Sequence, residues 1–144
     1  MAMKWVLIVD DDPSILMLLS AALEHPGLRI TTAEDALQAF IQARDLKPLL
    51  IISDIMMPGY GNGTTTLKRL REDPRVPICP ILFITAMDPA QARPLLPAND
   101  PTIGLLQKPV DLRRLRDYVW KLAGLSAPAA DASGTTAAAA AAAA

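Results

Sequence analysis

The chain has one cysteine, Cys79, in 144 residues. An intrachain disulfide is excluded, a reducing cytosol is the expected setting, and Cys79 reads as a small packing residue. Charge of either sign is also in short supply. With 14 Lys and Arg against 15 Asp and Glu, the net charge is −1, so no basic field argues for nucleic acid. Long apolar runs are missing too. Outside the C-terminal alanines none approaches the ~20 residues of a membrane span, and the N-terminus meets its acidic cluster too soon for a secretory signal. The single histidine, His25, stands before Pro26-Gly27 and reads as a helix-end residue favoured by the helix dipole, not as a phosphohistidine or metal ligand. Trp5 and Trp120 read as packing residues, Trp120 with reach toward a partner face.

What is present suffices for one domain with a single core, residues 1–125. The hydrophobic content of 51% overstates that core, because alanines crowd the C-terminus. Residues 126–144 (SAPAADASGTTAAAAAAAA) carry no packing pattern, and an eight-alanine run is too short to hold a helix alone in water. They read as a disordered or non-native tail.

Five short apolar runs alternate with helical patterns: residues 4–9, 28–33, 49–53, 80–85 and 103–107 as strands, with helices at 13–24, 34–45, 64–72 and 111–122. Asp12-Pro13 is a helix start, an Asx cap followed by proline at the first helical position, and Asp111 caps the last helix. Prolines at 89, 94, 97 and 101 allow only short helical turns between the fourth and fifth strands. This alternation predicts an α/β fold, a doubly wound parallel sheet. The first helix is apolar nearly all round. Ile15, Leu18 and Ala22 are expected as its core stripe, with Leu16, Met17 and Leu23 turned outward. In the second helix Ala36, Leu37, Ala39, Phe40 and Ile41 are expected on the apolar side, and in the last Leu112, Leu115, Val119 and Leu122.

The strand ends carry the chemistry. Asp10 and Asp11 follow the first strand, Asp54 the third, Thr85 the fourth and Lys108 the fifth, and a parallel sheet brings all these ends to one edge. Carboxylates gathered there repel one another unless a cation enters. Mg²⁺, which takes hard oxygen ligands, is the expected ion. A nucleophilic carboxylate, a metal, a lysine and a hydroxyl together suit phosphoryl transfer. Each residue alone has an ordinary structural role (a cap, a surface lysine, a strand threonine). The signal lies in the conjunction.

LIVDDDP (7–13), IISDIMMPG (51–59), ILFITA (81–86) and QKPV (107–110) closely resemble the receiver domain of two-component response regulators, over residues 4 to 123. The resemblance implies a five-stranded sheet of order 2-1-3-4-5 with helices on both faces, the fourth helix irregular here. It implies phosphorylation of Asp54 by a histidine kinase or phosphotransfer protein. Asp11 is implied as the direct Mg²⁺ ligand, Asp10 as its partner acting through water, and the Met56 carbonyl as completing the site. Thr85 is implied as the switch hydroxyl and Lys108 as the residue that pairs with the phosphoryl group, next to a Lys108-Pro109 bond that is usually cis in the family. Leu16 and Met17 are expected to contact the kinase.

Three departures stand out. Leu105 occupies the position of the family's usual aromatic switch residue, the loop GYGNG (59–63) is one residue longer than the common form, and 88–101 is proline-rich. Met56 and Met87, two residues after Asp54 and Thr85, are apolar, which predicts a long-lived phospho-form. Beyond self-phosphorylation and slow loss of that phosphate, no enzymatic turnover is expected. Output is expected through contact with another protein, without nucleic acid or membrane, and a homodimer stays open. Two alternatives remain: a phosphorylation-independent interaction scaffold, and a haloacid-dehalogenase-type phosphatase, whose Asp-x-Asp-x-Thr pattern DDDPS lacks.

Overall fold

A computed structural model describes residues 3–55 and 63–127. The Met56 carbonyl, most of the GYGNG loop and the alanine tail lie outside the described residues. The strands are β1 (Trp5–Val9), β2 (Arg29–Ala33), β3 (Leu50–Asp54), β4 (Ile81–Thr85) and β5 (Ile103–Gln107). The helices are α1 (Pro13–Leu23), α2 (Ala36–Leu46), α3 (Gly63–Glu72), α4 (Pro89–Ala92) and α5 (Leu112–Leu122). All strand pairs are parallel, in the order β2-β1-β3-β4-β5.

In β1, β3 and β4 the apolar runs are strands buried on both faces, their side chains alternating with period two between two core layers. Leu7, Val9, Ile51, Ile81 and Phe83 belong to one core layer with Ala39, Leu67, Leu70 and Ala92 of α2, α3 and α4. Val6, Ile8, Leu50, Ile52, Leu82 and Ile84 belong to the other, with α1 and α5. Aspartates start α1, α2, α4 and α5. The Asp12 side chain accepts from the Ser14 amide at 2.9 Å, Asp35 from Gln38 at 2.8 Å, and Asp111 from Arg113 and Arg114 at 3.1 and 3.2 Å, each satisfying a first-turn N–H with no partner inside the helix. The fourth helix is one turn, capped by Asp88 and followed by a 3-10 turn at Arg93–Leu95, as its prolines predict.

Three helix faces differ from expectation. In α1 the buried residues are Leu16, Leu19 and Leu23, while Met17 is 74% and Leu18 47% exposed. The stripes 15-18-22 and 16-19-23 both satisfy helical spacing in so apolar a segment. The turn from β1 through Asp12-Pro13 and the packing on α5 select the second. Leu16 is thus a core residue, not a docking residue. In α2 the small Ala39 and Ala43 face the sheet, leaving Leu37 and Ile41 exposed. In α5 Leu122 is exposed and Trp120 buried, its indole N–H donating to the Leu23 carbonyl at 3.2 Å. That bond lets a large amphipathic ring enter the core and takes Trp120 away from any partner face.

Candidate functional site

The register of the sheet builds the site. Val9 pairs with Ser53 and Asp54 with Ile84, so Asp10 emerges beside Asp54, and Thr85 ends the next strand. Lys108 follows β5, its amide donating to the Thr85 carbonyl at 2.7 Å. The four strand ends predicted to converge do share one edge.

Asp10, Asp11 and Asp54 each offer a carboxylate oxygen, and these oxygens lie within 4.8 Å of one another. The Lys108 ammonium stands 2.9 Å from Asp54 Oδ2 and 3.3 Å from Asp10 Oδ2. Asp10 is buried and Asp11 exposed, so the cluster opens to solvent on one side. Burial pushes the Asp10 carboxyl above its ordinary range, opposed by the Asp12 amide, which donates to Asp10 Oδ1 at 2.9 Å, and by Lys108. For Lys108 burial works against the charge, but the bonds to Asp54 and the charges of both aspartates outweigh it and hold the ammonium above its ordinary range. Among the described residues one cation faces three carboxylates. Closely spaced hard oxygen donors with excess negative charge fit a divalent ion such as Mg²⁺.

Thr85 is buried at the end of β4, its hydroxyl accepting the Met87 amide at 3.0 Å. The Lys108-Pro109 peptide is cis. Leu105 packs, half-buried, against the core layer that holds Phe83 and Ala92. Sequence reasoning missed two supports. Ser53, buried, donates through Oγ to the Asp54 carbonyl at 3.0 Å, and a lone serine closing an apolar run is the signal that marks it. The second is the reach of Lys108 to Asp10 as well as Asp54. A cleft of about 490 Å³ between α2 and α3, lined in part by Leu37, Phe40, Arg69 and Glu72, includes none of Asp10, Asp11 and Asp54 and takes no part in this site. Among the described residues no helix is long and apolar enough to cross a membrane.

Comparison with known proteins agrees with this geometry. The DNA-binding dual master transcriptional regulator RpaA of Synechocystis is 39% identical over 89 residues, covering 62% of this chain and 36% of RpaA. Protein PilH of Pseudomonas aeruginosa is 35% identical over 86 residues, covering 60% of this chain and 70% of PilH. The alignments with RpaA and with the Mycobacterium tuberculosis regulator TcrX span about a third of those relatives, 36% of each. Among solved structures, the chemotaxis response regulator CheY4 of Vibrio cholerae superposes with a TM-score of 0.69 at 29% identity, covering 84% of this chain and 99% of that one. The family model of the response regulator receiver domain matches residues 6–120. With its sheet order and its acidic strand-end cluster in place, the chain belongs to the response regulator receiver domain family.

Proposed function

We propose that this receiver takes a phosphoryl group onto Asp54 from a histidine kinase or phosphotransfer protein and passes the signal on by protein contact. The observation that carries the reading is the Lys108 ammonium held between Asp54 and Asp10 at 2.9 and 3.3 Å, beside a third carboxylate. An Asp54 carboxylate oxygen attacks phosphorus, and the phosphorus–nitrogen bond to the donor histidine breaks. The electron pair stays on the imidazole nitrogen and an acyl phosphate forms. Lys108 then pairs with a phosphoryl oxygen, and the Thr85 hydroxyl leaves the Met87 amide to donate to another. Each charge-assisted hydrogen bond is worth about 1.5–3 kcal/mol, enough to bias a two-state equilibrium toward an active form.

Asp10, Asp11 and Asp54 would hold Mg²⁺, which when bound supplies neutralising charge to the phosphoryl oxygens. The chain's catalysis is confined to loading and slowly unloading its own aspartate. Incubation with Mg²⁺ and acetyl phosphate should label the protein in a form released by hydroxylamine, the mark of an acyl phosphate, and EDTA should abolish the labelling. A label that resists hydroxylamine would overturn the assignment to a carboxylate. A second reading, a scaffold whose binding ignores phosphorylation, draws support from Leu105, which packs where the family's aromatic switch swings. Under that reading Asp54→Asn leaves partner binding intact.

A further inference from the structure

The chain does not leave α5 freely. Gly124, at φ 72°, closes the helix, its amide donating to the Lys121 carbonyl at 3.0 Å while the Leu125 amide donates to Trp120 at 2.8 Å. This paired closure turns the chain back on itself and lays it over the turn between α1 and β2. Leu125 rests there on Gly27 so closely that a Cβ on Gly27 would stand 2.8 Å from a Leu125 methyl. His25 supplies the polar half of the contact. Its Nε2 lies 2.7 Å from the Ser126 carbonyl oxygen, and its Nδ1 accepts the Gly27 amide at 2.9 Å. A carbonyl only accepts, so the ring proton is on Nε2 and the Nδ1 lone pair faces Gly27. The imidazole also stands edge-on against Trp120, with ring centres 5.0 Å apart.

We propose that His25 is the latch of an intramolecular docking site, formed by the α1–β2 turn and Trp120, for the segment Leu125–Ser126 that follows α5. The latch fixes where the next 18 residues of the chain depart. That point is at the N-terminal edge of the sheet, a strand length of about 17 Å from the edge that carries Asp54. Both ring nitrogens are committed, which a surface histidine does not need.

Backbone and side-chain ¹⁵N NMR on the full chain tests this. The order parameter of Ser126 should match that of α5, about 0.85, and the His25 shifts should show the proton on Nε2. His25→Ala should drop Ser126 below about 0.6 and speed Gly27 amide exchange about tenfold, with the β-strand amides unchanged. A native Ser126 already below about 0.6, a proton on Nδ1, or a His25→Ala protein with unchanged order at Ser126 would each overturn the proposal. Should His25→Ala fail to fold, the native order parameter and tautomer still decide.

Discussion

Replacing Asp10 with asparagine should stabilise the metal-free protein at neutral pH. Asp10 is 3% exposed, and burial is the main influence raising its carboxyl pKa. At an effective dielectric of ~20, two like charges at the 4.8 Å limit of the cluster repel by about 3.5 kcal/mol, and an ammonium at 3.3 Å returns about 5. Lys108 is shared with Asp54, however, so a single cation answers two carboxylates. Asp10→Asn leaves a balanced Lys108–Asp54 pair, and its amide oxygen still accepts the Asp12 N–H. After screening and desolvation the net gain should be about 1–2 kcal/mol, or about 4–8 °C in Tm for a domain of this size.

The pH dependence has a definite sign. A carboxyl whose folded pKa lies above its unfolded value binds more protons when folded. Its favourable contribution is complete below the unfolded value of 3.8 and is lost as pH rises through the folded pKa. The asparagine variant escapes that loss, so its advantage should be full at pH 7 and fade in acid. Thermal melts in EDTA across this range read both effects. Lys108→Met is the opposite control and should cost about 3 kcal/mol at pH 7, because it takes the ammonium away from buried Asp10. An Asp10→Asn protein that melts below the native one at pH 7, or gains further in acid, would refute burial as the dominant influence.

Gly104→Ala would place a Cβ 2.9 Å from a methyl of buried Leu82 and should cost about 1 kcal/mol. An unchanged denaturation midpoint would mean that Leu82 has room to turn. Burial pushes the Cys79 thiol to about 11, with the charge of Arg71 opposing. A thiol reagent at pH 8 should therefore label the native protein about a hundredfold more slowly than the unfolded one, and equal rates would place Cys79 outside the core. Met87 is half-buried against the core layer of Phe83 and offers no polar side-chain atom to orient a water. Loaded protein should keep its phosphate for many minutes, and loss within seconds would contradict that.

The sheet was legible because three of its apolar runs, β1, β3 and β4, are buried on both faces, a pattern no surface helix shows, and because aspartates mark the starts of α1, α2, α4 and α5. The edge where Asp10, Asp54, Thr85 and Lys108 meet follows from parallel connectivity alone. Helix phase was not legible. In α1 almost every residue is apolar, so spacing cannot choose between Leu18 and Leu19, and tertiary packing does. In α2 small alanines face the sheet, so hydrophobicity points to the wrong residues, Leu37 and Ile41. Trp120 enters the core only because the Leu23 carbonyl waits for its N–H, a long-range pairing with no local trace. The sharing of Lys108 between two aspartates depends on strand register, which spacing along the chain does not encode.

Intact mass after incubation with Mg²⁺ and acetyl phosphate, run beside Asp54→Asn, is the most direct test of Asp54 as phosphoacceptor. The native chain should gain one phosphoryl group and the variant none. Equal gain in both would move the acceptor elsewhere, and no gain in either would mean the acidic edge does not take phosphate and the scaffold reading leads.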